Sequence, residues 1–253
     1  MQAKASLEDT LALMRDLRAR CNWDAAQTHQ SLRPYLIEEA HEVDDALRTG
    51  DDSMLRDELG DLLLQVLFHS VIAEERAAFD LYDVAGALIT KMKTRHPHLY
   101  GDGEAIPWER LKAKTRVSLA DGLPVDLPGL HRAHRLQDRA AGVGFDWDDV
   151  AGPLAKVREE VDEVAAEIEQ PRADGAAAKD ALESELGDLL FAVVNLCRKA
   201  EVHASVALDR ANTKFVRRFT AVERLAAERG VHVGTASLAE LDVLWDDVKA
   251  AGG

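Results

Sequence analysis

Thiols are scarce in this chain. Cys21 and Cys197 are the only cysteines in 253 residues. They build neither a disulfide framework nor a thiolate metal site, so free buried thiols are expected. Positive charge is also in deficit: 31 Lys and Arg stand against 46 Asp and Glu, a formal net charge of −15. Polyanion binding draws on clustered cations, so a nucleic-acid polymer is not expected as a partner. Long apolar runs are missing. None approaches the roughly 20 residues of a membrane span, and the N-terminal MQAKASLEDT has no apolar signal core. A soluble cytoplasmic protein without membrane contact is the expectation. Alternating β-branched runs are few, which argues against sheet and for an all-α chain.

What the chain does have, it has twice. ELGDLL at 58–63 recurs letter for letter at 185–190. Upstream of the copies stand EEAHEV at 38–43 and EEVDEV at 159–164. Each half therefore reads EExxE, a connection, then ExxD. The connection runs 16 positions from Glu42 to Glu58 and 22 from Glu163 to Glu185. The four Trp fall into pairs, Trp23 with Trp147 and Trp108 with Trp245, and the basic stretches TKMKTR (90–95) and TKFVRR (213–218) fall in matching places. A period near 120 residues is too long for a solenoid unit, so each copy is read as a domain. Pro and Gly cluster in SLADGLPVDLPGL, 118–130. That places the linker there and divides the chain into 1–121 and 122–253. An intertwined single unit is the alternative.

Helical punctuation is strong. Ser31 as N-cap, Pro34 in the first turn and Gly50 as a stop frame one helix, and Asp51, Asp52 or Ser53 caps the next, about 54–76. Helices are also expected at about 80–94, 157–168, 181–199, 204–229 and 237–250. Residues three or four apart share a helical face. Glu39 and Glu42 thus project together, and so do Glu58 and Asp61 on the following antiparallel helix. Glu160, Glu163, Glu185 and Asp188 repeat the arrangement. A lone ExxE is ordinarily a solvated face. Two on consecutive helices, in two copies, are better explained by a ligand, because four carboxylates cannot all stay ionised side by side without a partner. All-oxygen donors favour a hard cation, Mg²⁺ or Mn²⁺. Packing explains the leucines of ELGDLL but not its acids. Gly60 and Gly187 each cost a helix about 1 kcal/mol relative to Ala, which points to close approach of a backbone or ligand.

The full pattern, with CNWDAAQT, RHPHLYGD, GVGFDW and KFVRRF, resembles the MazG family of nucleoside triphosphate pyrophosphohydrolases over nearly the whole chain. The resemblance implies an all-α NTP-pyrophosphatase fold, a homodimer, Mg²⁺ dependence, and cleavage of nucleoside triphosphates to monophosphate and pyrophosphate in nucleotide-pool house-cleaning or under stress. The eight paired acids would hold metal. Glu38 and Glu159 would complete the shell or accept a proton. Lys214, Arg217 and Arg218, at i, i+3 and i+4, would clamp phosphates, with Lys91 and Arg95 as the thinner N-terminal counterpart. Trp108 and Trp245 either stack on a base or anchor the last helix of each copy. The chain departs from the family pattern at Ala181, where a Lys is expected, and at Ser184, where another acid is common. The cation count favours the C-terminal copy as the main catalyst. Three rivals are a di-iron bundle using Glu38 and His41, a non-enzymatic dimeric module, and a narrow dUTP or dCTP hydrolase.

Overall fold

The computed structural model describes residues 4–105, 108–113, 116–169 and 176–252. The described residues contain helices and turns and no strand, as the sequence predicts. No helix among them is long and apolar enough to cross a membrane. The chain divides into two compact units, Met1–Ala105 and Ile106–Gly253.

In the first unit, α1 (Leu7–Arg20) begins with a capping box between Ser6 and Asp9. α2 (Asn22–Ala26) is short. α3 (Arg33–Thr49) closes on Gly50 in the left-handed region, φ 71°. α4 (Asp52–Glu75) starts from the Asp51 cap, whose side chain accepts from Ser53 and Met54. α5 (Leu81–Arg95) has an Asp80–Asp83 capping box, and α6 (Pro97–Tyr100) follows. The two ends of α4 are used differently. Its C-terminal half puts Leu67, Phe68, Val71 and Ile72 into a core with Leu11, Met14 and Leu32. Arg15–Glu74 and Arg18–Glu75 pairs fasten the same half to α1. Its N-terminal half, which carries ELGDLL, lies along α3.

The second unit contains α7 (Trp108–Ala113), α8 (Gly129–Gly142), α9 (Ala151–Glu169), α10 (Ala176–Lys199), α11 (Ala204–Glu228) and α12 (Leu238–Ala250). α9 packs on α10 as α3 packs on α4. Val222 and Ala226 of α11 pack on Leu244 and Val248 of α12, and a Ser237–Glu240 capping box opens α12.

Three sequence expectations change here. The boundary between compact units falls at 105/106, not at 121/122. Glu109 of α7 is the reason: it pairs with Arg116 and with Arg135 of α8. The stretch read as a linker is folded against α8, where buried Arg139 donates to the carbonyls of Leu119 (2.7 Å) and Asp121 (2.9 Å). Pro and Gly there mark turns rather than a domain break. Ser31 is not the cap of α3, whose N-cap is Leu32; its hydroxyl instead accepts from the Thr28 amide in the preceding turn. Cys21 and Cys197 are free and half-buried rather than fully buried.

Candidate active site

Each helix pair brings three carboxylates to one point. Oxygens of Glu39, Glu42 and Glu58 lie within 4.8 Å of one another, and so do those of Glu160, Glu185 and Asp188. Asp61 and Glu163 stand beside these trios rather than in them. Asp61 still acts on its trio by charge. Burial, followed by the charges of Asp61 and Glu42, pushes the Glu39 carboxyl above its ordinary range, against a hydrogen bond from Gln65 that lowers it. Glu58 is raised by desolvation and by Glu42, Asp61 and Asp57. The acids of the first unit thus raise one another.

The second unit balances its own. Lys156, one turn before Glu160, reaches Glu159 at 2.8 Å and Glu160 at 2.7 Å. Its hydrogen bond holds Glu160 below the usual range against the desolvation of that buried side chain, and Glu163 adds a second bond. Glu163 is correspondingly raised, first by the hydrogen bond it shares with Glu160. The hydrogen bond between them thus favours the ionised form of Glu160 over that of Glu163. The position matching Lys156 in the first unit is Tyr35.

The second trio lines a cavity of about 940 Å³. Its wall includes Lys156, Glu163, Asn195 and Arg198, with Phe145, Trp147 and Phe191 as aromatic lining. Arg198 donates its Nε to Asn195 Oδ1 at 2.9 Å and pairs with Asp146. Burial raises the Asp146 carboxyl, but Arg198 and then Lys199 outweigh it and hold it below its ordinary range.

The remaining predicted residues lie elsewhere. Glu38 is exposed, and Glu159 is engaged by Lys156. Lys214 and Arg217 are exposed on α11, Arg218 is half-buried there, and none of the three lines the cavity. Lys91 is exposed and Arg95 half-buried on α5. Trp245 rests against Phe215, with ring centres 5.5 Å apart, beside the α11–α12 core. The Trp108 side chain lies outside the described residues. Neither carboxylate trio includes a histidine, and His41 is exposed, so the di-iron arrangement finds no ligand set among the described residues. No atom of the described residues approaches where a Cβ would sit on Gly60 or Gly187. The expected close neighbour of those glycines is therefore not supplied by the described residues. Sequence reasoning missed Lys156, Asn195 and Arg198. The i, i+4 spacing of Lys156 and Glu160 was the available signal.

Paired helices that converge three acids on a point, twice in one chain, define an all-α bundle whose carboxylate clusters could hold a metal ion. The MazG nucleotide pyrophosphohydrolase domain model matches residues 27–100 and again 152–223. The nucleoside triphosphate pyrophosphohydrolase of Escherichia coli (strain K12) is 42% identical over 248 residues, 93% of each chain. The nucleoside triphosphate pyrophosphohydrolase/pyrophosphatase MazG of Thermotoga maritima is 41% identical over 261 residues, 100% of this chain and 98% of its own. A Mycobacterium tuberculosis nucleoside triphosphate pyrophosphohydrolase is 44% identical over 150 residues, 55% of this chain and 46% of its own. The chain belongs to the MazG family, in a tandem form with two copies of the domain.

Proposed function

We propose that this protein hydrolyses nucleoside triphosphates to the monophosphate and pyrophosphate, with the cavity of the second unit as the working site. The observation that carries this reading is the Glu160–Glu185–Asp188 trio at the wall of a cavity that also presents Lys156 and Arg198. Anionic phosphates and a trio of carboxylates share a site only when cations stand between them. Oxygen donors of this kind fit Mg²⁺, or Mn²⁺ in its place. Such an ion, when bound, supplies charge to the phosphate oxygens and lowers the pKa of a bound water. Glu160, Glu185 and Asp188 would hold it, with Glu163 next to them. Glu159, which Lys156 engages, would take the proton of the attacking water. Lys156 and Arg198 would meet the phosphate tail, joined by Lys214, Arg217 and Arg218 if α11 delivers them to a site. Glu39, Glu42, Glu58 and Asp61 would form a second cation site, with Glu38 as its outer acid.

Assembly belongs to the same reading. α5 leaves Tyr82, Leu88, Ile89 and Met92 exposed, and α11 leaves Val206, Leu208, Phe215 and Val216 exposed. Apolar faces of this kind call for a partner surface, and a homodimer would cover them. Sedimentation at micromolar concentration should give twice the mass of the chain.

The reaction is tested with a panel of canonical and oxidised ribo- and deoxyribonucleoside triphosphates in Mg²⁺, scored for pyrophosphate. Release of orthophosphate and diphosphate instead would overturn the reaction class. A role in clearing or limiting nucleotide pools follows if the panel shows turnover.

A further inference from the structure

The phosphate chemistry leaves part of the second unit's cavity unexplained. Phosphates have no use for aromatic walls, yet Phe145 and Trp147 both line the cavity that holds the acids. Phe145 is 80% exposed and Trp147 40%. Among the described residues no other ring stacks on either. Their loop is fastened on both sides. Asp146, between them, is tied to Arg198 and Lys199 at the end of α10. The Trp147 indole lies against the start of α9, where a Cβ on Gly152 would overlap it. Gly144 enters the loop at φ 93°, a conformation that a side chain resists. An exposed aromatic side chain on an anchored loop is a pre-built platform.

The first unit lacks the paired rings at this place, although Trp23 is exposed there. Its matching residues are Cys21, Asn22 and Trp23. Trp23 is already edge-on to Tyr35 and to the core residue Phe68, at 6.3 Å from each. Trp245, an aromatic candidate from the sequence, is engaged by Phe215.

Resting on the reading of the cavity as a triphosphate site, we propose that Phe145 and Trp147 form its nucleobase-stacking wall, positioned by the Asp146–Arg198–Lys199 pairing. A flat apolar wall takes the face of a base rather than its hydrogen-bonding edge, so purines and pyrimidines both fit. This confers a preference for nucleotides over baseless triphosphates without a sharp preference among bases.

The test compares kcat/KM for a nucleoside triphosphate with that for ribose 5-triphosphate, which has the same phosphates and sugar but no base. The wild type should prefer the nucleotide. Phe145→Ala should shrink that preference roughly 5- to 150-fold, the effect of one lost aromatic–base stack, and Phe145→Tyr should retain it. Gly152→Ala, which displaces the indole through a residue outside the wall, should shrink it too. Circular dichroism should be unchanged in Phe145→Ala, because the side chain is exposed. A preference that is absent in the wild type, unchanged in the Ala variants, or lost because both substrates fall by one common factor, overturns the stacking wall. A wild-type protein that releases pyrophosphate from no nucleotide overturns the parent reading instead.

Discussion

The two carboxylate trios hold their leading glutamates, Glu39 and Glu160, in opposite electrostatic settings. Glu160 has Lys156 one turn away, whereas Glu39 has Tyr35 at that position and shares hydrogen bonds with Glu42, which raises it, and Gln65, which lowers it. A charge-assisted bond pre-ionises its acceptor. Glu160 is therefore biased toward its ionised form, while burial and the charges of Asp61 and Glu42 bias Glu39 the other way. If the second unit does the chemistry, Asp188→Ala should abolish pyrophosphate release while helical content by circular dichroism stays unchanged, since Asp188 is exposed. Glu160→Ala should cripple kcat/KM and Glu39→Ala should lower it far less. Equal damage from both would mean that both trios turn over substrate. The acids could be read from the sequence because ExxE and ExxD at helical spacing fix which side chains share a face. The cavity's Asn195 and Arg198 could not, because they lie one to two turns beyond the repeated hexamer and nothing in its pattern extends to them.

Among the elements, α8 was the least legible in sequence and α4 the most. α4 carries an apolar stripe with helical period. The buried residues of α8 are the polar Gln137 and Arg139, which a search for apolar core positions passes over. Its place is fixed by polar contacts: Gln137 Nε2 donates to the Phe191 carbonyl of α10 at 2.8 Å, and Arg135 reaches Glu109 of α7 at 2.6 Å. Gly142 allows the α7–α8 crossing, since a Cβ there would come within 2.9 Å of Glu109. Desolvation raises the Glu109 carboxyl, but Arg135 and Arg116 outweigh it, and the net shift is downward from 4.5. A carboxyl lowered by folding stabilises the fold above its unfolded value and loses that contribution as pH falls through the lower, folded value. Glu109→Gln should therefore cost about 2 kcal/mol at pH 7, and the difference from wild type should narrow below about pH 4.5. Thermal melts of both proteins from pH 7 to pH 3.5 check it. A gap that widens on acidification would refute the account.

At the scale of the molecule, the duplication was plain in the sequence, and the structure keeps it as two paired-helix units. The division between them was not legible, because turn-forming residues look alike whether they join domains or fold back on a helix. The net charge of −15 and the clustered acids of the first unit predict how cations act on stability. Glu39 and Glu58 are raised above 4.5, so their contribution is favourable below that pH and is lost as pH rises through the folded values. A divalent ion removes that repulsion by binding the folded chain. Mg²⁺ should raise the Tm more at pH 7.5 than at pH 5, and Glu58→Gln should raise the metal-free Tm at pH 7.5 while reducing the response to Mg²⁺. An unaltered Mg²⁺ response would remove the first trio from the set of cation sites. Gly60 and Gly187 lead beyond the chain itself. Each sits between acids of ExxD with empty space where a methyl group would be. Gly187→Ala should therefore make the isolated protein firmer, by roughly 0.5–1 kcal/mol of helix propensity, and a melt without ligand will measure it. If turnover falls in the same variant, the notch is a berth: a strip of bare helix that the free protein keeps open, at some cost in rigidity, for a visitor that must lie against peptide.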